Sequence, residues 1–243
     1  GFRIDRALPY DGGAIRFAAF DAAGATVADR LYLPLGDDVV LARGEMQADA
    51  PALRVPYDYA ASADALIDAC RAAGGRRIAF VALADEGAIL PPGEVRSRLL
   101  AMRDRMLGSI DRGLLRTGSL PGGRRRQASV LAQALDDDKT TAAQRCRIYA
   151  IAAAEENAAG DGGVAAPSSG AAGVVAGLLR HSLALGAQTA DAAAVEFLAT
   201  AGATGALLRR SGLKQVGCQG EVGVAAAMAA AGAAAVAGAT PAQ

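Results

Sequence analysis

Val216-Gly217-Cys218-Gln219-Gly220-Glu221-Val222-Gly223, followed by a run of mostly alanine to Val236, is the stretch that sets the character of the chain. Gly217, Gly220 and Gly223 leave the backbone open to close approach by another group. Alanine is a strong helix former without bulk, so Val224 to Val236 is expected to be a helix that packs closely through small residues. Cys218 then falls near a helix N-terminus. Unpaired N–H groups and the helix dipole there favour a thiolate, the form of cysteine that binds metal. A small buried cysteine in a close-packed Gly/Ala helix is the alternative that spacing alone leaves open.

Working outward, 243 residues suffice for one large domain or two modest ones with real cores. Lys+Arg and Asp+Glu each total 25, so the formal charge is zero and there is no electrostatic footprint for nucleic acid. Cys70, Cys146 and Cys218 are far apart, without a C-x-x-C and with a single histidine, which argues against a zinc site built from these residues alone. An odd cysteine count with no secretory signal fits a reducing cytoplasm. Residues 222 to 238 raise a membrane question, but alanine and glycine are only weakly apolar, so a buried helix is expected rather than a span. The chain begins at a glycine and ends in a helical pattern, which predicts a fragment of a longer protein.

The first 57 residues carry strand and turn signals. Ala14 to Phe20 and Thr26 to Leu33 hold β-branched and aromatic residues, and Asp21-Ala22-Ala23-Gly24 between them predicts a hairpin. Asp38 to Leu41 is a candidate third strand. So few strands need a packing partner, expected from upstream residues. From Ala61 the period is helical: Asp64 to Ala73, Glu94 to Arg112, Thr140 to Ala159, Gly170 to Leu185 and Gln188 to Ser211 are expected helices. Arg76 to Glu86, short and apolar, reads equally as strand or helix. Arg124-Arg125-Arg126 is expected to be a solvated helix start, with anion binding as the alternative, and Asp136-Asp137-Asp138 a solvated cap. The fold class is α+β: a small strand-rich N-terminal piece followed by a mostly helical body.

The order of motifs adds a family. Gly217 to Gly232, GCQGEVGVAAAMAAAG, resembles the segment with the first cluster cysteine of bacterial iron–sulfur-dependent L-serine dehydratases. Leu120-Pro121-Gly122-Gly123 is similar to that family's LPGG turn, Glu155 to Gly160 to its EENAAG, and Ala166 to Gly173 to its APTNGAAG loop. Ala22 to Leu35, with Ile15-Arg16-Phe17 before it, resembles the end of the family's β domain. Departures accompany these matches: Ser168-Ser169 stands for Thr-Asn, Ala154 for an asparagine, Ala176 for a helix proline, and Ala226 for a second cysteine. The resemblance implies that residues 1–57 end a β domain and residues 58–243 belong to a helical catalytic domain, truncated at its C-terminus.

It also implies a [4Fe–4S] cluster with Cys218 as a ligand and the other ligands beyond Gln243. The implied reaction is dehydration of L-serine to pyruvate and ammonia, a lyase of amino-acid degradation and gluconeogenesis, without pyridoxal phosphate. L-serine is then the small-molecule partner, with no nucleic acid or membrane; a homodimer is a candidate assembly that the sequence leaves open. A cluster-dependent cysteine desulfidase and a non-catalytic helical interaction module of the same fold are the alternatives. The hydroxyls of Ser168 and Ser169, with Gly170 opening a helix, suit a carboxylate, although an ordinary serine cap fits equally. Asn157 is assigned to hold that loop or touch substrate. Glu155, Glu156 and Glu221 are candidate bases that helix ends more often leave solvated, and none is singled out. His181 is expected to be structural or exposed.

Overall fold

The computed structural model describes residues 15–34, 40–42, 61–133, 139–160, 165–166, 168, 170–185, 188–210 and 217–243, with only the backbone described at 33–34, 40–41, 92, 209–210 and 217–219. The fold is α+β, a three-stranded antiparallel sheet followed by eight helices among the described residues. The chain divides into two units, Gly1–Val55 and Pro56–Gln243.

In the first unit, β1 (Ile15–Phe20) pairs antiparallel with β2 (Thr26–Pro34), placing Ile15 opposite Tyr32 and Phe17 opposite Arg30. Asp21 makes the turn, because its Oδ1 accepts from the N–H groups of Ala23 at 2.9 Å and Ala25 at 2.8 Å. Gly24 supplies the positive φ of 83° that the same turn needs. β3 (Val40–Ala42) pairs with the far edge of β2. The hairpin is the expected one, while Asp38 of the third run lies outside the described residues. Across the pair, the Arg16 guanidinium donates to Asp29 and holds its carboxyl below the usual carboxylate range. Every β1 residue is exposed, Ile15 and Phe17 included.

In the second unit the helix ends follow their local chemistry. α1 (Ala63–Ala72) starts where the Ser62 hydroxyl accepts from the Ala65 N–H. It ends in a Schellman turn, with the Gly75 N–H on the Cys70 carbonyl and the Gly74 N–H on that of Arg71. α3 (Pro92–Leu115) opens on a proline, whose missing N–H costs nothing at a first turn. α5 (Ala142–Ala158) opens with a reciprocal capping box between Thr141 and Gln144. Between these, α2 (Ile78–Ile89) settles the ambiguous run as helix. That segment is apolar nearly all round, so it carries no period; packing against α1, α3 and α7 decides.

The remaining elements are α4 (Ala128–Gln133), α6 (Ala172–Leu185), α7 (Ala190–Arg210) and α8 (Gly217–Val236). Met106, Ile110, Leu179 and Phe197, from α3, α6 and α7, are fully buried at the centre of the main core. Small residues let the helices around it approach. A Cβ on Gly113 of α3 would overlap the Ala152 carbonyl of α5, and one on Gly177 of α6 would lie 2.7 Å from the Cys146 carbonyl of α5. Helix α8 begins at Gly217, a full two turns before the alanine run, and buries Val224, Ala225, Met228 and Ala229. Over Ala190–Leu208, α7 is long and apolar enough to cross a membrane by length and composition, and half of that window is buried inside the protein.

Candidate functional site

The C-terminal turns of α5 carry the Glu155-Glu156-Asn157-Ala158-Ala159-Gly160 motif, closed by Gly160 at a φ of 85°. Both glutamates are buried, at 2% and 0% exposure, against the expectation that helix-end glutamates are solvated. Glu155 accepts from the backbone N–H groups of Gln127 at 2.6 Å and Ala128 at 3.4 Å, so it caps the short helix α4 from another part of the chain. Glu156 is ringed by arginines. Arg126 Nη1 lies 2.7 Å from its Oε1, while Arg116 Nη1 at 3.1 Å and Arg112 Nε at 3.2 Å reach its Oε2.

Arg126 reaches this position because of the Leu120-Pro121-Gly122-Gly123 turn. The Gly123 N–H donates to the Leu120 carbonyl at 3.0 Å, and proline followed by a glycine at a φ of 86° is the type II pattern. The turn folds 118–126 back on itself, with the Arg126 N–H on the Gly118 carbonyl and Ser119 bridged to Arg125. The arginine run is therefore not a uniformly solvated helix start: Arg126 is buried in an ion pair. A buried carboxylate with matching cations explains why. Asp136-Asp137-Asp138 lies outside the described residues.

The loop before α6 is pinned by two buried alanines, Ala166 and Ala171, and leaves Ser168 half-buried and Gly170 exposed between them. Ser168 Oγ donates to Glu221 Oε2 at 2.8 Å, joining this loop to the second turn of α8 across 53 residues of sequence. Cys218 is the second residue of α8, three positions before Glu221 and so on the same side of that helix. Its side chain lies outside the described residues, as does all of Ser169. Asn157 stands half-buried in the last turn of α5 with a polar partner of its own, and His181 is half-buried within α6. The sequence named Ser168 and Glu221 separately; nothing in their spacing signals that they meet.

As a place for an iron–sulfur cluster, the start of α8 fits one ligand. Cys218 occupies a first turn whose N–H groups have no intrahelical acceptor, the setting that stabilises a thiolate. Cys70 and Cys146 differ. Burial pushes both thiols up, and Cys70 sits in the apolar cluster of α1, α2 and α7, so both favour the protonated form. Among the described residues no three His, Cys, Asp or Glu side chains converge as a metal site.

Comparison with known proteins gives the chain a family. Residues 38–243 match the family model described as serine dehydratase alpha chain. The chain is 35% identical over 251 residues to an L-serine dehydratase of Streptomyces coelicolor, covering 98% of this chain and 54% of that protein. It is 36% identical over 255 residues to one of Mycobacterium bovis, again covering 98% of this chain and 54% of the relative. L-serine dehydratase 2 of Escherichia coli is 33% identical over 254 residues, covering 100% of this chain and 55% of the relative. The chain thus spans about half the length of the curated relatives it matches. With the family model matched over residues 38–243 and relatives of this identity along nearly its whole length, the chain belongs to the serine dehydratase alpha-chain family.

Proposed function

We propose that this chain serves an enzyme that dehydrates L-serine to aminoacrylate, which tautomerises and hydrolyses to pyruvate and ammonia, using a [4Fe–4S] cluster. The observation that carries this reading is the Ser168–Glu221 hydrogen bond, which brings the loop before α6 to the second turn of α8, three positions after Cys218. Hydroxide is a poor leaving group, and a cluster iron, when bound, supplies a Lewis acid for the departing oxygen. Cys218 would be one thiolate ligand. The loop Ser168-Ser169-Gly170 binds the substrate, with its carboxylate at the N-terminal dipole of α6 and Asn157 in support. In this reading residues 1–57 belong to a β domain and 58–243 to the helical catalytic domain, working in a reducing cytoplasm.

Full-length protein prepared without air is expected to be brown, to bleach in oxygen, and to make pyruvate from L-serine without added pyridoxal phosphate. Cys218→Ala should remove the colour and the iron, whereas Cys70→Ala and Cys146→Ala should keep both. Normal iron content in the Cys218 variant would falsify the ligand assignment. Pyruvate formation that survives removal of iron by a chelator would rule out the cluster mechanism.

A further inference from the structure

Resting on the serine reading, we infer that Glu221, with Ser168 as its hydrogen-bonded partner, receives the α-ammonium group of the substrate, leaving the carboxylate to the N-terminal dipole of α6. A hydroxyl carries one proton, and that of Ser168 goes to Glu221 Oε2 at 2.8 Å. Toward any third group Ser168 therefore presents lone pairs, beside a carboxylate that is itself acceptor-only. Two adjacent acceptors, one of them charged, repel a carboxylate and suit an ammonium with its three N–H donors.

Glu221 also differs from its neighbours in kind. Glu94 is paired with Arg98, Glu156 with arginines, and Glu196 with Arg77, while Glu155 is taken up by backbone N–H groups. Among the described residues Glu221 has Ser168 for a partner and no cation beside it. It is half-buried rather than sealed, and Val222 and Gly170 next to the pair are exposed, so a small molecule can reach it. A half-buried carboxylate without a cation is an energetic liability that a bound ammonium relieves. Glu221 lies three positions after Cys218 on one helix, which places the amine end of the substrate beside the proposed cluster ligand.

The test compares L-serine with 3-hydroxypropionate, which keeps the carboxylate and the β-hydroxyl and lacks the amine. Binding of each to the full-length holoenzyme is measured by titration calorimetry, with melting curves recorded for every variant. Glu221→Gln, which preserves an acceptor for Ser168 and removes the charge, should weaken L-serine about tenfold or more and change 3-hydroxypropionate by less than about twofold. Ser168→Ala should show a smaller loss with the same preference between ligands. Equal losses for the two ligands in both variants, or L-serine binding unchanged by Glu221→Gln, would overturn the inference while wild-type serine turnover left the dehydratase reading standing. Wild-type holoenzyme that neither binds nor dehydrates L-serine would overturn both.

Discussion

Two carboxylate sites in the helical unit invite comparison: Glu155 and Glu156 at the end of α5, and Glu221 near the start of α8. The α5 pair is buried with all its charge answered, Glu156 by three arginines and Glu155 by the N–H groups that open α4. Glu221 is half-buried, with a serine hydroxyl from a distant loop and no cation among the described residues. A carboxylate whose acceptor capacity is spent on the protein has little left for a ligand. The α5 pair therefore reads as architecture that ties the 118–126 turn and α4 to the helix core, and Glu221 as a group held ready. All three were candidate bases on sequence grounds; their surroundings divide them.

The comparison makes graded predictions. The largest effect is expected for Glu156→Ala, which strands Arg126 as a buried, unpaired cation and should cost about 3–5 kcal/mol in denaturant unfolding. A loss no greater than that of Glu221→Gln would break the contrast. Next comes Gly113→Ala. Its Cβ would overlap the Ala152 carbonyl and push α3, with Arg112 and Arg116, away from Glu156, for about 1–3 kcal/mol. Additivity of this change with Glu156→Ala, in place of the expected coupling, would show that the crossing and the ion cluster are independent.

Glu155→Ala should be milder. It removes a cap from a short helix at a cost of about 1–2 kcal/mol, and hydrogen exchange should quicken at Gln127 and Ala128 while α3 keeps its protection. The smallest effect on stability is expected for Glu221→Gln, within about 0.5 kcal/mol by thermal or chemical melting, because the hydrogen bond from Ser168 keeps an acceptor. Substantial unfolding from that substitution would move Glu221 into the architectural class and blur the division.

Much of the fold was legible locally. The hairpin follows from Asp21 and Gly24, and the end of α5 from Gly160. These signals act over a few residues, through caps and turns, and so they show in the order of residues. Motif order likewise pointed to the family that the comparisons established. Only the tertiary structure decided that Ile78–Ile89 is a helix, since a run apolar on nearly every side has no period to read. It also decided that Arg126 faces inward to a carboxylate 30 residues away, and that Ser168 gives its proton to Glu221 at a separation of 53. The physical reason is range. A cap or a turn is chosen by its neighbours in the chain, whereas the partner of a buried charge or a hydroxyl is chosen by which helices the core brings together.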